Sequence, residues 1–224
     1  IRSQKYRHKF INEPMLENIS LSGAKVVDAF CGNGETTGYL LGKGAQVTGI
    51  DISLKEIANF QKRFPSCIGI CSSILSTNLE SNSYDCVVVV GGLHHLHPYV
   101  PDAINEIHRI LKRGGYFCFM EPHKGTFPDQ VRKVWYRSDS LFASNEAAID
   151  LAALKAEFSR EFKVIKEVYK GNLAYLFVLN SMVFRIPLET KPFYSPLFIG
   201  IESLLEKLQG KLFSCFAISQ WMKV

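Results

Sequence analysis

Four consecutive valines end the segment Tyr84-Asp-Cys-Val-Val-Val-Val90, in which no position after Asp85 carries a charged side chain. β-branched residues favour strands, and a strand that is apolar at every position has no side for solvent. Such runs are typical of the central strands of a parallel sheet that helices cover on both faces. This segment therefore predicts an α/β protein.

Strand-like and helix-like segments alternate on either side of this strand. The predicted strands are Lys25–Phe30, Gln46–Asp51, Cys67–Cys71, Tyr84–Val90 and Tyr116–Glu121. The predicted helices are Glu35–Leu41, a helix that Ser53 caps and that runs to Arg63, and Pro101–Leu111. Alternation of this kind predicts a doubly wound, mostly parallel sheet.

The last third of the chain departs from this alternation. Its patterns predict, in order, a helix, a strand, two helices and a closing strand, at Asn145–Phe158, Phe162–Tyr169, Leu173–Ile186, Ser195–Gln209 and Leu212–Met222. We therefore expect a single domain, residues 1–224, with a helical insert at 172–210 between the last two strands. The insert is placed to cover the open edge of the sheet as a lid.

The composition is that of an ordinary soluble protein. Of 224 residues, 47% are hydrophobic and 21% are charged, and no apolar run reaches the roughly 20 residues that span a bilayer. The six cysteines include no CxxC pair, so we predict free thiols in a reducing cytoplasm rather than a zinc site. The basic cluster between Arg2 and Lys9 predicts a solvated, frayed terminus, with the attraction of an anionic substrate as the alternative, and it is too small for a nucleic-acid surface.

A glycine turn follows the first strand in Val26-Val-Asp-Ala-Phe-Cys-Gly-Asn-Gly34 and leads into a helix. Glycines allow a tight turn and the close approach of a ligand, but nicotinamide and flavin enzymes share this turn. Asp28 narrows the choice of cofactor. A carboxylate at the strand end repels the pyrophosphate of a dinucleotide and suits the ammonium group of a methionine-type cofactor.

Two further strand ends carry polar residues. Asp51 ends the second strand, 17 residues after Gly34, where an acid accepts hydrogen bonds from ribose hydroxyls. The central strand leads into Gly91-Gly-Leu-His-His-Leu96. Ligands of open α/β sheets bind at this carboxyl edge, so the ends of these strands predict one site.

Together these segments resemble the motifs of class I S-adenosylmethionine-dependent methyltransferases, within the small-molecule group (methyltransferase type 11) that includes the ubiquinone and menaquinone C-methyltransferases. The motifs are Asp28–Gly34, Val47–Ser53, Ser83–Val90 with Leu93–Leu96, and Ile107–Gly115. The resemblance covers residues 25–121. It implies a seven-stranded Rossmann-like sheet and methyl transfer from S-adenosylmethionine to an O, N or C atom of a small molecule, with S-adenosylhomocysteine as product.

The resemblance also implies roles for single residues. The cofactor-binding set is Asp28, Gly32, Asn33 and Gly34 around the methionine part, Asp51 at the ribose, Ile52, Ser73 and Ile74 at the adenine, and Gly91 beneath the sulfonium. Two positions depart from the family's pattern. Phe30 stands where another glycine is usual, and Ser73 stands where relatives often have an aspartate.

Three histidines follow the central strand, namely His94, His95 and His97. Their spacing rarely brings three imidazoles to one ion, so no metal is predicted. His94 or His95, with His95 favoured, is a candidate general base, and a packing role is the alternative. Glu121 and His123 are weaker candidates for the general base. The alternative for both is that they only shape the pocket. Because the sulfonium is already activated, methyl transfer does not require a base.

Other functions remain open. A nucleic-acid methyltransferase that acts on amino groups would have an Asn/Asp-Pro-Pro-aromatic motif where this chain has Gly91-Gly-Leu-His94. Asp28 argues against a nicotinamide-dependent oxidoreductase, and a non-catalytic S-adenosylmethionine-binding subunit fits the same motifs. The apolar insert at 172–210 packs on the core, covers a lipophilic substrate or makes a peripheral membrane contact. The acceptor and the oligomeric state do not follow from the sequence.

Overall fold

The computed structural model describes residues 2–136, 146–181, 184–205 and 210–224. A seven-stranded sheet runs through them in the order β3-β2-β1-β4-β5-β7-β6. The strands are β1 Lys25–Ala29, β2 Gln46–Asp51, β3 Ile68–Cys71, β4 Tyr84–Val90, β5 Leu111–Glu121, β6 Phe162–Lys170 and β7 Phe216–Lys223. The helices are α1 Arg2–Arg7, α2 Glu13–Met15, α3 Thr37–Gly42, α4 Leu54–Arg63, α5 Val100–Ile110, α6 Phe127–Tyr136, α7 Leu151–Glu157 and α8 Lys191–Leu205.

The α/β class and the seven strands are confirmed, but the sheet is mixed. Strands β1 to β5 pair in parallel, whereas β7 is antiparallel to both of its neighbours, β5 and β6. Antiparallel neighbours need no crossover. Accordingly β7 starts where β6 ends, and the Cys215 N–H donates to the Lys170 carbonyl at 3.1 Å.

Strand β4 is the central strand of the sheet, as its valines predict. Alternate side chains point to opposite faces. Val88 packs in the apolar cluster that also contains Tyr6 of α1, whereas Val87 and Val89 pack in the cluster that contains the buried side of α5. The carboxyl ends of β1, β2 and β4 thus meet at one edge between two layers of helices.

Several predicted bounds in the first half shift by a few residues. Helix α3 starts at Thr37, so Glu35 belongs to the glycine turn rather than to the helix. Strand β5 starts at Leu111 rather than at Tyr116, because α5 already ends at Ile110. The Ser53 cap is confirmed, since its Oγ accepts the Glu56 N–H at 3.3 Å.

The predicted helix Asn145–Phe158 is too long. Helix α7 starts only at Leu151, because the Asp150 side chain caps it by accepting the Ala153 N–H at 3.1 Å. Before this cap the chain is extended, and Ile149 forms a parallel bridge with His123. Asn145 lies outside the described residues.

The helical segments between β6 and β7 also differ in detail. The predicted helix Leu173–Ile186 is a short helical segment that includes a π-helical turn, Tyr175–Leu179, whereas α8 starts four residues before Ser195. Pro192 is tolerated in the first turn of α8. A 3₁₀ turn, Lys211–Phe213, precedes β7, so the closing strand starts later than predicted. Gln209 lies outside the described residues, and the single domain with its lid stays a prediction.

The prediction of a frayed N-terminus was wrong. Helix α1 continues through a π-helical turn, His8–Asn12, and the side chains of Tyr6, Phe10 and Ile11 are fully buried. The Tyr6 hydroxyl donates to Glu202 Oε1 of α8 at 3.0 Å. The basic residues thus lie on an ordered helix whose apolar side packs on the core. In the part of the chain that the structure describes, no helix is long and apolar enough to cross a membrane.

Candidate cofactor and acceptor site

The glycine turn after β1 has an unusual backbone. Phe30, Gly32 and Gly34 have φ angles of +56°, +49° and +83°. A Cβ on Gly34 would lie 2.3 Å from the Phe64 ring, so this position requires glycine for its backbone and for its packing. By contrast, a Cβ on Gly32 would have no neighbour within 4 Å. The turn therefore packs against Phe64 at Gly34 and is open at Gly32.

Phe30 has a left-handed backbone conformation although it carries a large side chain. Its ring lies over Gly92, where an added Cβ would be 2.3 Å from Phe30 Cδ2. The aromatic ring at 30 therefore requires the absence of a side chain at 92. The ring forms one wall of the cavity above the turn.

This cavity has a volume of about 230 Å³. Its walls come from the turn, from β4 and from α1. The charged side chains among its lining residues are Arg7, Asp28, Glu35 and Glu56. Arg7 forms an ion pair with Glu35. The cavity therefore presents three carboxyl groups and one guanidinium group to a small ligand.

Asp28 is the most buried acid of the cavity, with 2% of its surface exposed. Thr37 Oγ1 donates to its Oδ2 at 2.6 Å. Burial raises the pKa of Asp28 to about 6, although the Thr37 hydrogen bond and the positive charge of Arg7 oppose the rise. A cation beside this carboxyl would favour its charged form.

Asp51 is held by the backbone of two turns. Its Oδ2 accepts the Gly32 N–H at 3.0 Å, and its Oδ1 accepts the Ser53 N–H at 2.9 Å. Each oxygen of a carboxylate has a second lone pair, so the group is oriented and still able to accept two hydrogen bonds. The adjacent Ile52 leaves 74% of its surface exposed, which provides an apolar platform beside the carboxylate.

Ser73 and Ile74 lie in the turn after β3. Ser73 Oγ accepts the Leu75 N–H at 3.2 Å, which leaves its hydroxyl hydrogen free to donate. Ile74 is buried and packs in the core cluster with Ile50. The structure therefore offers the Ser73 hydroxyl at the surface and places Ile74 beneath it.

Glu121, a candidate from the sequence, anchors the loop after β4. This carboxyl is fully buried, and its Oε1 accepts the N–H groups of Gly92 and Leu93, both at 2.7 Å. Its Oε2 lies 2.7 Å from His94 Nδ1. Gly91, with a φ of +69°, donates its N–H to the Met120 carbonyl at 2.8 Å. Glu121 therefore positions the loop and the His94 ring.

His95 is the more accessible of the two adjacent histidines. Its ring centroid lies 4.0 Å from that of His94, and its Nδ1 lies 3.2 Å from Glu146 Oε1. About half of the His95 side chain is exposed, whereas that of Glu146 is mostly buried. Burial, followed by the charge of His94, lowers the pKa of His95 below its usual 6.5. His95 is thus largely neutral at pH 7 and paired with a carboxylate.

The structure gathers two of the three histidines. Ligand-capable atoms of His94, His95 and Glu146 lie within 4.8 Å of one another, whereas His97 Nε2 is 3.1 Å from the Ala147 carbonyl. An imidazole pair with a carboxylate is also a set that metal ions accept. The sequence-based expectation of no metal stays a prediction.

His123 lies in the core and has a structural role. It is fully buried, and its Nε2 lies 2.7 Å from Ser214 Oγ, whose hydroxyl donates to the Lys211 carbonyl at 2.7 Å. Burial, with the charges of Lys211 and Arg132, lowers the pKa of His123 to about 4. His123 therefore stays neutral and joins β5 to the start of β7, outside the cofactor cavity.

Two site residues were missed in the sequence. Arg7 stands in a cluster that was interpreted as solvated, and the buried stripe of Tyr6, Phe10 and Ile11 is the signal that places α1 on the core. Glu146 belongs to no motif, and it comes 51 residues after His95 in the chain.

Residues 27–119 match the sequence model of the family described as methyltransferase domain. This part of the chain is similar to methyltransferase domains. An uncharacterized methyltransferase of Synechocystis sp. is 32% identical over 111 residues, which are 49% of this chain and 52% of the relative. The demethylmenaquinone methyltransferase of Staphylococcus epidermidis is 28% identical over 140 residues, 58% of each chain. The chain thus matches little more than half the length of these curated relatives.

Solved structures share the fold of the methyltransferase domain. A SAM-dependent methyltransferase from Archaeoglobus fulgidus has a TM-score of 0.65 at 17% identity, covering 100% of this chain and 95% of that one. Magnesium protoporphyrin IX methyltransferase from Synechocystis, with bound S-adenosylhomocysteine, has a TM-score of 0.66 at 15% identity, covering 100% and 84%. The predicted resemblance to methyltransferases is confirmed for residues 27–119, whereas the enzyme class of the whole chain and its cofactor stay predictions.

Proposed function

We propose that this chain transfers a methyl group from S-adenosylmethionine to a small-molecule acceptor. The observation that carries the proposal is a pair of carboxylates at adjacent strand ends, Asp28 buried beside the cavity and Asp51 held by two backbone N–H groups. When bound, S-adenosylmethionine supplies a methyl group on a positively charged sulfur that is already activated for transfer. The residues of the chain would bind and orient the cofactor and would deprotonate the acceptor.

Asp28 and Arg7 together match the zwitterionic end of the cofactor. Asp28 would accept hydrogen bonds from the ammonium group, and Arg7 would donate to the carboxylate, a pairing that guanidinium groups make in a bidentate way. Both residues line the cavity with Gly32 and Asn33. The open space above Gly32 and the tight packing of Gly34 suit the close approach of a ligand to this turn.

The carboxyl ends of β2 and β3, whose residues lie outside the lining of this cavity, suit a nucleoside. Asp51 would accept both ribose hydroxyls through its remaining lone pairs, and the exposed side chain of Ile52 would lie against the adenine. The Ser73 hydroxyl and Ile74 would bound the adenine on its other side. Gly91 would lie beneath the sulfonium, where the absence of a side chain leaves room for the acceptor.

His95 is proposed as the general base for an acceptor that bears a hydroxyl or an amine. Because Nδ1 faces Glu146, the neutral ring presents Nε2 as its proton acceptor. The proton of the acceptor would move to Nε2, and the Glu146 carboxylate would stabilise the resulting imidazolium. His94, held by Glu121, would orient the neighbouring ring.

Replacing His95 tests this role. We expect His95→Gln to lower kcat by 10²- to 10⁴-fold, as is typical for loss of a general base, while the Kd of S-adenosylhomocysteine stays unchanged. In the unmodified chain kcat should fall as the pH drops through a pKa below 6.5, because protonated His95 accepts no proton. His8→Gln, an exposed histidine of the N-terminal segment, is the control. Equal kcat values for His95→Gln and the parent chain would exclude the base.

Ligand truncation tests the role of Arg7. We expect Arg7→Gln to weaken S-adenosylhomocysteine binding about 10-fold or more and to leave 5′-methylthioadenosine, which lacks the amino-acid end, within twofold. Calorimetric titration of both ligands gives the comparison. Glu35→Gln, which frees Arg7 from its ion pair, should bind S-adenosylhomocysteine at least as tightly as the parent chain. Parallel losses for both ligands would show that Arg7 only supports the fold.

A small, ring-bearing and lipophilic acceptor is the class we propose. The support is indirect: one relative is named for demethylmenaquinone and one structural neighbour for a magnesium porphyrin. The loop Gly91–His94 also lacks the motif of nucleic-acid amino methyltransferases. A non-catalytic binding subunit is the alternative, and methylation of a quinone-type acceptor by the isolated chain would remove it. The cytoplasmic location stays a prediction.

A further inference from the structure

Helix α8 presents an apolar face to solvent. Its exposed residues are Pro192, Phe193, Pro196, Leu197, Gly200 and Leu204, and none has a charged or hydrogen-bonding side chain. These six residues are called the α8 face. Phe193, Leu197 and Leu204 leave 87%, 65% and 70% of their surfaces exposed. Helices on the surface of a soluble protein usually turn charged side chains toward water, so this face departs from the rule.

The inward side of α8 fixes this orientation. Ser195 and Glu202 are buried, and Glu202 accepts the Tyr6 hydroxyl at 3.0 Å and the N–H groups of Asn172 and Ala174 at 2.7 Å and 2.9 Å. A rotation of the helix would leave these buried donors without an acceptor, which is costly. The α8 face is therefore held outward by hydrogen bonds on the opposite side.

Lysines border the α8 face. Lys9 Nζ lies 2.8 Å from Ser203 Oγ, and Lys191 Nζ lies 3.3 Å from Ser3 Oγ, which places α1 and the turn after it alongside α8. Lys5 and Lys9 are exposed. Glu202, the acidic residue within α8, is buried, and α1 has none. Glu189, two residues before α8, is exposed and negative, so the three lysines Lys5, Lys9 and Lys191 outnumber the acidic side chains among the described residues of α1, α8 and the turns next to them.

We propose that the α8 face docks on the surface of a membrane that contains anionic lipids, with Lys5, Lys9 and Lys191 at the level of the headgroups. An interfacial helix combines an apolar side with flanking lysines in this way. Protein interfaces carry about one hydrogen bond per 100–200 Å², and the α8 face offers no side chain for one. The inference rests on the proposed function only in that a bilayer would be the source of a lipophilic acceptor.

The start of α8 also lies near the cofactor cavity. Burial lowers the pKa of Lys191, and the negative charge of Glu35, which lines the cavity, opposes this shift. The docked face would therefore bring the bilayer close to the site at which the acceptor is methylated.

Vesicle sedimentation with the full chain tests the docking. We expect partition onto vesicles of phosphatidylcholine with phosphatidylglycerol, weaker partition onto phosphatidylcholine alone, and a decrease with salt. The double variant Leu197→Asp/Leu204→Asp should lose at least tenfold in partition, because it charges the inserted face. Ile68→Asp, an equally exposed apolar residue on strand β3, is the matched control and should partition like the parent chain.

A folded chain that stays in the supernatant with anionic vesicles would overturn the proposal. So would an equal loss of partition in Ile68→Asp, or a solution dimer that the double variant dissociates. The double variant should still bind S-adenosylhomocysteine like the parent chain, which shows that it is folded. Vesicle binding without S-adenosylhomocysteine binding by the parent chain would refute the proposed function and leave the docking intact.

Discussion

Asp51→Ala is expected to weaken the binding of S-adenosylhomocysteine by about 100-fold or more. Hydrogen bonds to a charged group contribute about 1.5–3 kcal/mol each, and the substitution removes both of those that the ribose would make. It also removes the acceptor that holds the N–H groups of Gly32 and Ser53, so the glycine turn loses its orientation. Isothermal titration calorimetry measures the change.

Asp102→Ala is the matched control for this substitution. Asp102 is an exposed acid in the first turn of α5, and its loss should leave the Kd unchanged. Thermal unfolding of each variant without ligand shows whether the fold persists. If folded Asp51→Ala binds S-adenosylhomocysteine within threefold of the parent chain, the assignment of the ribose site is wrong.

Asp28→Asn is expected to stabilise the free protein and to weaken cofactor binding. Folding raises the pKa of Asp28 from 3.8 to about 6, so the folded state binds the proton more tightly. Stability therefore falls as the pH rises from about 4 to about 6, and above this range the full cost of about 3 kcal/mol persists. The neutral amide avoids this cost, and its oxygen can still accept the Thr37 hydroxyl.

Urea unfolding of Asp28→Asn at two pH values gives the measurement. We expect an increase of about 2–3 kcal/mol in the free energy of unfolding at pH 7.5, which shrinks at pH 4.5. The Kd of S-adenosylmethionine should rise at least tenfold, since the ammonium group loses its charged partner. A less stable Asp28→Asn at pH 7.5 would contradict the account of this buried charge.

Asp85→Asn is expected to change the free energy of unfolding in the opposite direction and serves as the comparison for Asp28→Asn. Burial raises the pKa of Asp85, but two hydrogen bonds lower it overall. They come from Lys112 Nζ, which lies 2.5 Å from Asp85 Oδ1, and from the Lys25 N–H. Its charged form is therefore the stabilising one, and the neutral amide should destabilise the protein at pH 7.5.

The strands, and the position of their polar ends at one edge of the sheet, were largely predictable. An all-apolar run such as Val87–Val90 has few alternatives to a buried strand, and strand ends in a parallel sheet meet at one edge. The sequence therefore predicts that Asp28, Gly32 and Asp51 lie close together, and in the structure Asp51 accepts the Gly32 N–H while Asp28 and Gly32 line one cavity. The structure adds how Asp51 is held and that the Phe30 ring packs over Gly92.

The acceptor end was not predictable in the same way. Arg7 and Glu146 reach the site through tertiary packing, which has no local sequence signal. Glu121 was a candidate base, yet backbone N–H groups occupy one of its oxygens and His94 the other. Helix α8 turns Glu202 inward beside core-packed Phe198, because Glu202 accepts hydrogen bonds from distant donors, and a helical pattern alone cannot show this.

Calorimetric titration of the unmodified chain with S-adenosylmethionine and S-adenosylhomocysteine tests the central claim most directly. The account predicts one site per chain with Kd values in the micromolar range and no comparable binding of reduced nicotinamide dinucleotide. A well-folded chain that binds neither sulfur nucleoside, or that binds the nicotinamide dinucleotide instead, would contradict it.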